Sequence, residues 1–151
     1  MFKLSPVMCS IFFAAAGMTA QAKAQTEDAA RALVDKAVAH VMKHGIEAAC
    51  KDFANPAGGF IKGELYIYVQ DMQAKMICHA TNPRLNGKDL VDLKDADGKR
   101  FSKEMVELVK TKRNGWVNYR WVNPVTKQIE KKSSYVERLH NLIVGAGIYR
   151  E

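Results

Sequence analysis

Five segments with the composition of β-strands, most of them joined by short turns, constrain the fold of this chain more than any other feature. The segments are residues 64–70, 75–80, 116–122, 128–135 and 142–149. They are rich in aromatic and β-branched residues, which favour strands. Short turns are predicted at 71–74, 123–126 and 137–141, and strands joined in this way pair antiparallel. The sequence therefore predicts a five-stranded antiparallel sheet.

Three helices are predicted around this sheet. Residues 26–44 carry apolar side chains at three- and four-residue steps behind an acidic first turn, the pattern of an amphipathic helix. A shorter helix over 46–53 follows Gly45, and a third is predicted over 102–113, within the long crossover between the second and third strands. The predicted fold class is α+β, with a long N-terminal helix and an inserted helical segment on a PAS-like sheet.

The N-terminal residues have the pattern of a secretory signal peptide. Lys3 precedes an apolar run over 7–18, and small residues follow at alternate positions up to Ala24. The apolar run is shorter than the roughly 20 residues that span a bilayer, which argues against a membrane anchor. Cleavage after Ala22 or Ala24 is compatible with the pattern. We expect a signal peptide over 1–24, a single domain over 25–151 and a periplasmic location.

Charge and cysteine content narrow the function further. The chain of 151 residues has a formal charge of +7, but acidic and basic residues are interleaved, so nucleic acid is not expected as a partner. The densest basic stretch, 110–113, lies at a predicted helix end, where cations suit the helix dipole.

In an oxidising compartment Cys50 and Cys78 could form a disulfide or remain two buried thiols, and the spacing does not decide between them.

Several motifs resemble the single Cache domain of bacterial extracytoplasmic sensors. They are GELYIYV at 63–69, HATNP at 79–83, LNGKDL at 85–90, GWVNYRW at 115–121, KSSYV at 132–136 and GAGIY at 145–149. The resemblance implies a PAS-like sheet with a pocket for a small molecule, often a short organic acid. Most members are the outer part of a chemoreceptor or kinase. Because nothing follows Glu151, a free-standing, secreted form is expected, and Ala74 stands where the family's hairpin glycine is expected.

The candidate ligand-binding residues come from this resemblance and from strand alternation. They are Tyr66, Tyr68, His79, Tyr119, Arg120, Trp121, Lys132 and Tyr135. The resemblance favours the tyrosines, His79 and Lys132, whereas Arg120 is included because its planar guanidinium suits a carboxylate. Alternation places His79 with Ile77 on one face of the second strand. It also places Tyr119 and Arg120 on opposite faces unless a bulge intervenes, so Tyr119 is the first choice.

Glycines on the last strand offer space for a cavity. Gly145 and Gly147 share a face with Tyr149, which leaves a strip without side chains. In the functional interpretation, Lys132 or Arg120 holds a carboxylate beside this strip through charge-assisted hydrogen bonds. In the alternative interpretation, the glycines admit a packed helix and the cations point to water.

No catalytic motif is recognised, and neither a metal nor a cofactor is expected. His40 and His44 have metal-ligand spacing but no third ligand, and residues 95–98 are interpreted as a turn. The sequence thus predicts a monomeric or dimeric sensor, not an enzyme. It would bind a small organic anion and act with a separate membrane receptor or kinase. The alternative is a protein–protein interaction module without a small-molecule ligand.

Overall fold

The computed structural model describes residues 25–150. Its helices and strands are α1 (Glu27–His44), α2 (Ile46–Ala54), β1 (Ile61–Lys62), β2 (Leu65–Asp71), β3 (Met76–His79), α3 (Phe101–Lys112), β4 (Asn114–Val122), β5 (Ile129–Leu139) and β6 (Leu142–Arg150), with a 3₁₀ turn at Pro83–Leu85. The expected signal peptide and its cleavage site lie outside the described residues. Within residues 25–150, no helix combines the length and apolar character needed to cross a bilayer.

All pairings in the sheet are antiparallel, and the five long strands follow the order β3-β2-β6-β5-β4. The predicted fold class is therefore confirmed. The two-residue β1 was not predicted, and it extends the β3 edge of the sheet by pairing with the start of β2. Its residues are too few to show the alternation that marks a strand in sequence.

Two details of the strands differ from the prediction. β5 continues to Leu139, through most of the predicted turn at 137–141, and only His140 and Asn141 connect it to β6. Polar residues at 137 and 138 resemble a turn in sequence but belong to a paired strand. In β3, Gln70 pairs with Met76 and Val69 with Cys78, so Ile77 is the extra residue of a β-bulge.

The sheet separates two layers of helices. α1 begins at its N-cap Thr26, whose Oγ1 accepts a hydrogen bond from the Ala29 backbone N–H at 3.1 Å. The buried stripe of α1 packs on the face formed by alternate residues such as Ile67 and Ala146. α3 packs on the opposite face, where Tyr68 Oη donates to Met105 Sδ. The face under α3 carries most of the aromatic and polar candidates.

A disulfide joins α2 to β3. It links Cys50 with Cys78, whose Cα atoms are 5.8 Å apart. Of the two states that the sequence left open, the structure contains the disulfide. Because Cys78 points toward the α1 layer, the neighbouring His79 points into the α3 layer. The bond thus holds the strand that carries His79 against α2.

The β5–β6 turn contains a strained position that a substitution should relieve. His140 has φ 55°, in the left-handed region, whereas the φ of Asn141 is not positive. A two-residue hairpin turn with this pattern favours glycine at its first residue, which here is His140. We expect His140→Gly to raise the free energy of unfolding by about 0.5–1 kcal/mol, since the left-handed penalty exceeds the entropy that glycine adds to the unfolded chain. Urea unfolding measures the change. Asn141→Gly is the matched control and should lower the free energy of unfolding. If Asn141→Gly raised this free energy while His140→Gly left it unchanged, His140 would not be the strained residue of the turn.

Candidate functional site

The face of the sheet under α3 gathers the predicted site residues around one buried cation. Lys132 lies on β5 opposite Tyr119 of β4 and Tyr149 of β6. Its side chain is only 2% exposed, and Nζ donates a hydrogen bond to Tyr66 Oη at 2.8 Å. Nζ also lies 4.0 Å from the centroid of the Tyr66 ring and 5.0 Å from that of Tyr149. An ammonium group enclosed by phenols is the central feature of this site.

No carboxylate in the described part of the chain lies within ion-pair distance of Lys132. Burial holds the pKa of Lys132 well below its usual value, and Glu64 at a longer range offsets only part of this effect. Buried charged groups in proteins are normally paired. Lys132 is therefore a buried basic group for which the described residues supply no acidic partner.

The glycines of β6 make this arrangement possible. A methyl group on Gly147 would overlap Lys132 Cε and Ser134 Oγ, and one on Gly145 would overlap the Tyr68 ring. The strip without side chains is thus filled by the stem of Lys132 and by a tyrosine ring. Gly145 and Gly147 therefore pack against Tyr68 and Lys132, and neither glycine is among the residues that line the cavity described below.

His79 is held as a neutral hydrogen-bond donor. It is 4% exposed, and Nδ1 accepts a hydrogen bond from the Asn82 backbone N–H at 3.0 Å, which assigns the ring proton to Nε2. Burial, helped by the positive charge of Lys132, lowers the pKa of His79 to about 3. Owing to the bulge in β3, Met76 shares its face with His79, in place of the predicted Ile77.

The surrounding phenols are also neutral. Burial raises the pKa of Tyr119 to about 12 and the pKa values of Tyr66 and Tyr68 well above the usual value. Tyr119 Oη and Ser134 Oγ are 3.0 Å apart, and Tyr149 Oη donates to the Val122 carbonyl at 2.8 Å. These hydroxyls can present hydrogen bonds without adding charge.

A small cavity of about 10 Å³ lies between this face and the start of α3. Its walls include Tyr68, His79, Tyr119 and Trp121 from the sheet and Ser102 from α3. The Ser102 hydroxyl is buried without a hydrogen-bond partner. This volume is close to the minimum that holds one water molecule, so a larger occupant requires the walls to move.

The start of α3 forms the cover of this cavity. Phe101 stacks on Tyr119 with ring centroids 4.5 Å apart and an interplanar angle of 6°. Gln70 Nε2 donates to the Ser102 carbonyl at 3.1 Å. Neither Gln70 nor Ser102 was predicted from the sequence: Ser102 begins a helix interpreted only as a core-packing element, and Gln70 is the last residue of the predicted first strand. The unpartnered Ser102 hydroxyl is visible only in three dimensions.

An outer pocket of about 300 Å³ leads toward the same residues. One rim belongs to residues 81–85 and the other to residues 122–127, while Tyr66 lies between them. His79 and Trp121 line both this pocket and the inner cavity. These two side chains therefore separate the small cavity from an opening at the surface.

Two of the predicted site residues are not brought to this face. Arg120 lies on the opposite face of a regular β4, and its Nε donates to Asp97 Oδ2 at 2.9 Å. Tyr135 faces α1, where the guanidinium of Arg31 lies 4.7 Å from its ring centroid. Arg120 and Tyr135, both predicted to bind the ligand, therefore do not line this cavity, because strand alternation carries their side chains to the α1 layer.

The predicted turn at 95–98 is present and has a structural role. The Asp95 carboxylate accepts hydrogen bonds from the backbone N–H groups of Asp97, Lys99 and Arg120 at 2.9, 2.8 and 2.9 Å. Lys99 Nζ donates to the Asn118 carbonyl at 2.6 Å. These bonds attach the loop before α3 to the outer edge of β4.

Neither histidine of α1 belongs to a metal centre in the described residues. His40 Nε2 lies 2.7 Å from Asp52 Oδ2, which ties α1 to α2, and its ring centroid is 4.5 Å from that of His44. Residues 25–150 contain no cluster of three or more potential metal-binding side chains. The His40 contact is thus a link between two helices.

Comparison with known proteins places this arrangement in a family. The family model of the Cache domain matches residues 19–151. The chain belongs to the Cache domain family. The methyl-accepting chemotaxis protein McpP of Pseudomonas putida is 37% identical over 86 residues, which make up 56% of this chain but only 16% of that receptor. The match thus concerns a small part of a longer protein.

Solved structures support the same assignment. A Cache chemosensory domain described for its recognition of carboxylic acids has a TM-score of 0.71 and 30% identity, covering 84% of this chain and all of that domain. A periplasmic sensor domain of a chemotaxis protein has a TM-score of 0.65 and 29% identity, covering 82% and 90%. Cache domains are extracytoplasmic sensor modules of signalling proteins, and no catalytic family is indicated.

Substituting Gly147 tests the packing of Lys132 against β6. We expect Gly147→Ala to lower the free energy of unfolding by about 1–3 kcal/mol, because the added methyl overlaps Lys132 Cε and Ser134 Oγ inside a closed layer. Urea unfolding measures the loss. An unchanged transition midpoint would show that the side chain of Lys132 is not confined against this strand.

Proposed function

We propose that this Cache domain is a periplasmic sensor that binds a short monocarboxylic acid with its carboxylate against Lys132. The carrying observation is the full burial of this amine without an acidic partner in the described residues. Leaving an ion unpaired in the interior costs several kcal/mol, and an anionic ligand would offset this cost. Carboxylic acid recognition by a similar Cache domain supports the choice of anion.

The other groups of the site suit the same ligand. The His79 Nε2–H and the Ser102 hydroxyl provide neutral donors at the cavity, and neutral donors can bind a carboxylate without a second ion pair. Aromatic walls from Tyr68, Tyr119 and Trp121 suit a short hydrocarbon chain. The polar groups would fix the orientation of the carboxylate, and the rings would enclose the rest of the ligand.

The number of cations argues for one carboxylate per ligand. Lys132 is the only buried lysine or arginine among the described residues. A second carboxylate drawn into the cavity would be desolvated without a counter-ion, at a cost that excludes it from tight binding. The cavity of about 10 Å³ also favours the smallest acids.

Binding requires the site to open and close. The outer pocket gives a route past Trp121 and His79, and the start of α3 covers the cavity on the other side. In this proposal the ligand displaces these walls, and the resulting position of α3 is passed to a membrane receptor or kinase. Export by the predicted signal peptide would bring the domain to such a partner.

A ligand screen tests the proposal directly. The protein comprising residues 25–151 is heated with C2 to C6 monocarboxylates, dicarboxylates and amino acids. A monocarboxylate at about 100 Kd should stabilise the protein by about 2.7 kcal/mol, which appears as a higher Tm. Dicarboxylates of similar length should have little effect. Silence across the whole panel, or a preference for dicarboxylates, would count against the proposal.

Lys132→Met separates binding from stability. We expect the variant to lose the Tm shift given by monocarboxylates and to gain about 1–4 kcal/mol of unfolding free energy in their absence, because a buried amine that lacks an acidic partner is replaced by an apolar side chain. Calorimetric titration and urea unfolding measure the two effects. Lys131→Met is the matched control, since Lys131 is exposed on the other face of β5. Retained binding in Lys132→Met would remove Lys132 from the site.

The alternative of an interaction module rests on a different part of the surface. Val122, Val125 and Ile129 are exposed around the β4–β5 turn and could contact another protein. An interaction module of this kind would not explain why Lys132 is buried without an acidic partner among the described residues. We therefore favour the small-molecule sensor.

A further inference from the structure

Among the described residues, no carboxylate is in ion-pair contact with Lys132 to hold a proton on its amine. Nζ is enclosed by the rings of Tyr66, Tyr68 and Tyr149 at 4.0, 5.7 and 5.0 Å. Its one hydrogen bond goes to the Tyr66 hydroxyl, and this bond survives deprotonation, because the phenol can then donate to the amine. The geometry therefore accommodates a neutral lysine as well as a charged one.

The free energies of desolvation and of the cation–π contacts favour a neutral Lys132 amine before a ligand binds. A buried ammonium loses more free energy of solvation than its cation–π contacts with the surrounding rings return. Burial correspondingly lowers the pKa of Lys132. The net free energy therefore favours release of the proton from Lys132 to water, as documented for other buried lysines.

We propose that a carboxylate and one proton bind to this site together, with Lys132 taking up the proton. This inference rests on the proposed function and specifies how the site is regulated. The free protein holds a neutral amine, whereas the complex holds an ammonium–carboxylate pair. No covalent bond forms, and the proton comes from the buffer. The carboxylate and the proton taken up together have the composition of the undissociated acid. The sensor therefore responds to the pH as well as to the concentration of the ligand.

The titratable neighbours leave Lys132 as the group that takes up the proton. On β3, His79 is neutral and its pKa is already about 3. On β2, β4 and β6, the phenols of Tyr66, Tyr68, Tyr119 and Tyr149 have raised pKa values and stay protonated throughout. None of these groups changes its charge near neutral pH.

Glu64 is the carboxylate that acts on Lys132 from the loop before β2. It raises the pKa of Lys132, but less than burial lowers it. Its Oε2 accepts a hydrogen bond from Asn123 Nδ2 at 3.0 Å, so it is engaged with the β4–β5 turn. A ligand carboxylate in contact with Nζ would have a stronger effect because Coulomb energy increases as distance decreases.

The direction of the pH effect follows from the proton count. The complex carries one more proton than the separate protein and ligand, so lowering the pH must strengthen binding. While Lys132 is neutral in the free protein and charged in the complex, Kd should increase about tenfold for each rise of one pH unit. A lysine that is charged in both states would give a flat profile over the neutral range.

Calorimetric titration of the protein with acetate and with propionate tests this inference. Each titration is made near neutral pH in buffers of low and high ionisation enthalpy, such as phosphate and Tris. The dependence of the observed enthalpy on the buffer gives the number of protons taken up, and we expect about one per ligand. Binding without proton uptake would overturn this inference and leave the proposed function intact. No binding of acetate, of propionate or of any other C2 to C6 monocarboxylate would overturn both.

Two variants keep the test independent of folding defects. Lys132→Arg carries a side chain that remains protonated in proteins, so its binding should proceed without proton uptake. Glu64→Gln removes the only nearby carboxylate among the described residues and should retain uptake of about one proton. Loss of uptake in Glu64→Gln, or unchanged uptake in Lys132→Arg, would assign the proton to another group and overturn the inference.

Discussion

The burial of one lysine amine against a glycine-containing strand is the constraint on which the rest of the site depends. Lys132 reaches across β6 because Gly147 leaves space for its stem, and its Nζ ends among phenols and not in water. Any larger residue at 147 would push the cation out of the layer. The arrangement is costly in an isolated domain, which is the usual sign of a group kept for function.

Part of this architecture follows from sequence and part does not. Strand alternation correctly separates Tyr119 from Arg120, and the order of helices and strands predicts the α+β sheet. Alternation fails at Ile77, because a β-bulge inserts this residue and places Met76 on the face of His79. No local sequence pattern marks that bulge. The family resemblance includes Tyr135 among the site residues, although its position on β5 carries its side chain to the α1 layer. The closure of the cavity by Ser102 depends on the docking of α3, which no local pattern records.

The cavity wall consists of one anchored side and one movable side. β3 is covalently attached to α2 through Cys50 and Cys78, so His79 approaches the cavity from a fixed strand. The opposite wall is the first turn of α3, which depends on the Phe101–Tyr119 stack and the bond from Gln70. Noncovalent contacts of this kind can be remade at low cost. A structural change on binding would therefore be concentrated in α3 and the loop before it.

The attachment of residues 95–99 to β4 also affects how the molecule behaves among its neighbours. A strand at the border of a sheet presents free amides and carbonyls that can recruit a foreign strand. Here the Arg120 amide is satisfied by Asp95 and the Asn118 carbonyl by Lys99, so the middle of that border is already occupied by the chain itself. The loop thus lowers the chance that β4 pairs edge to edge with a strand of another molecule.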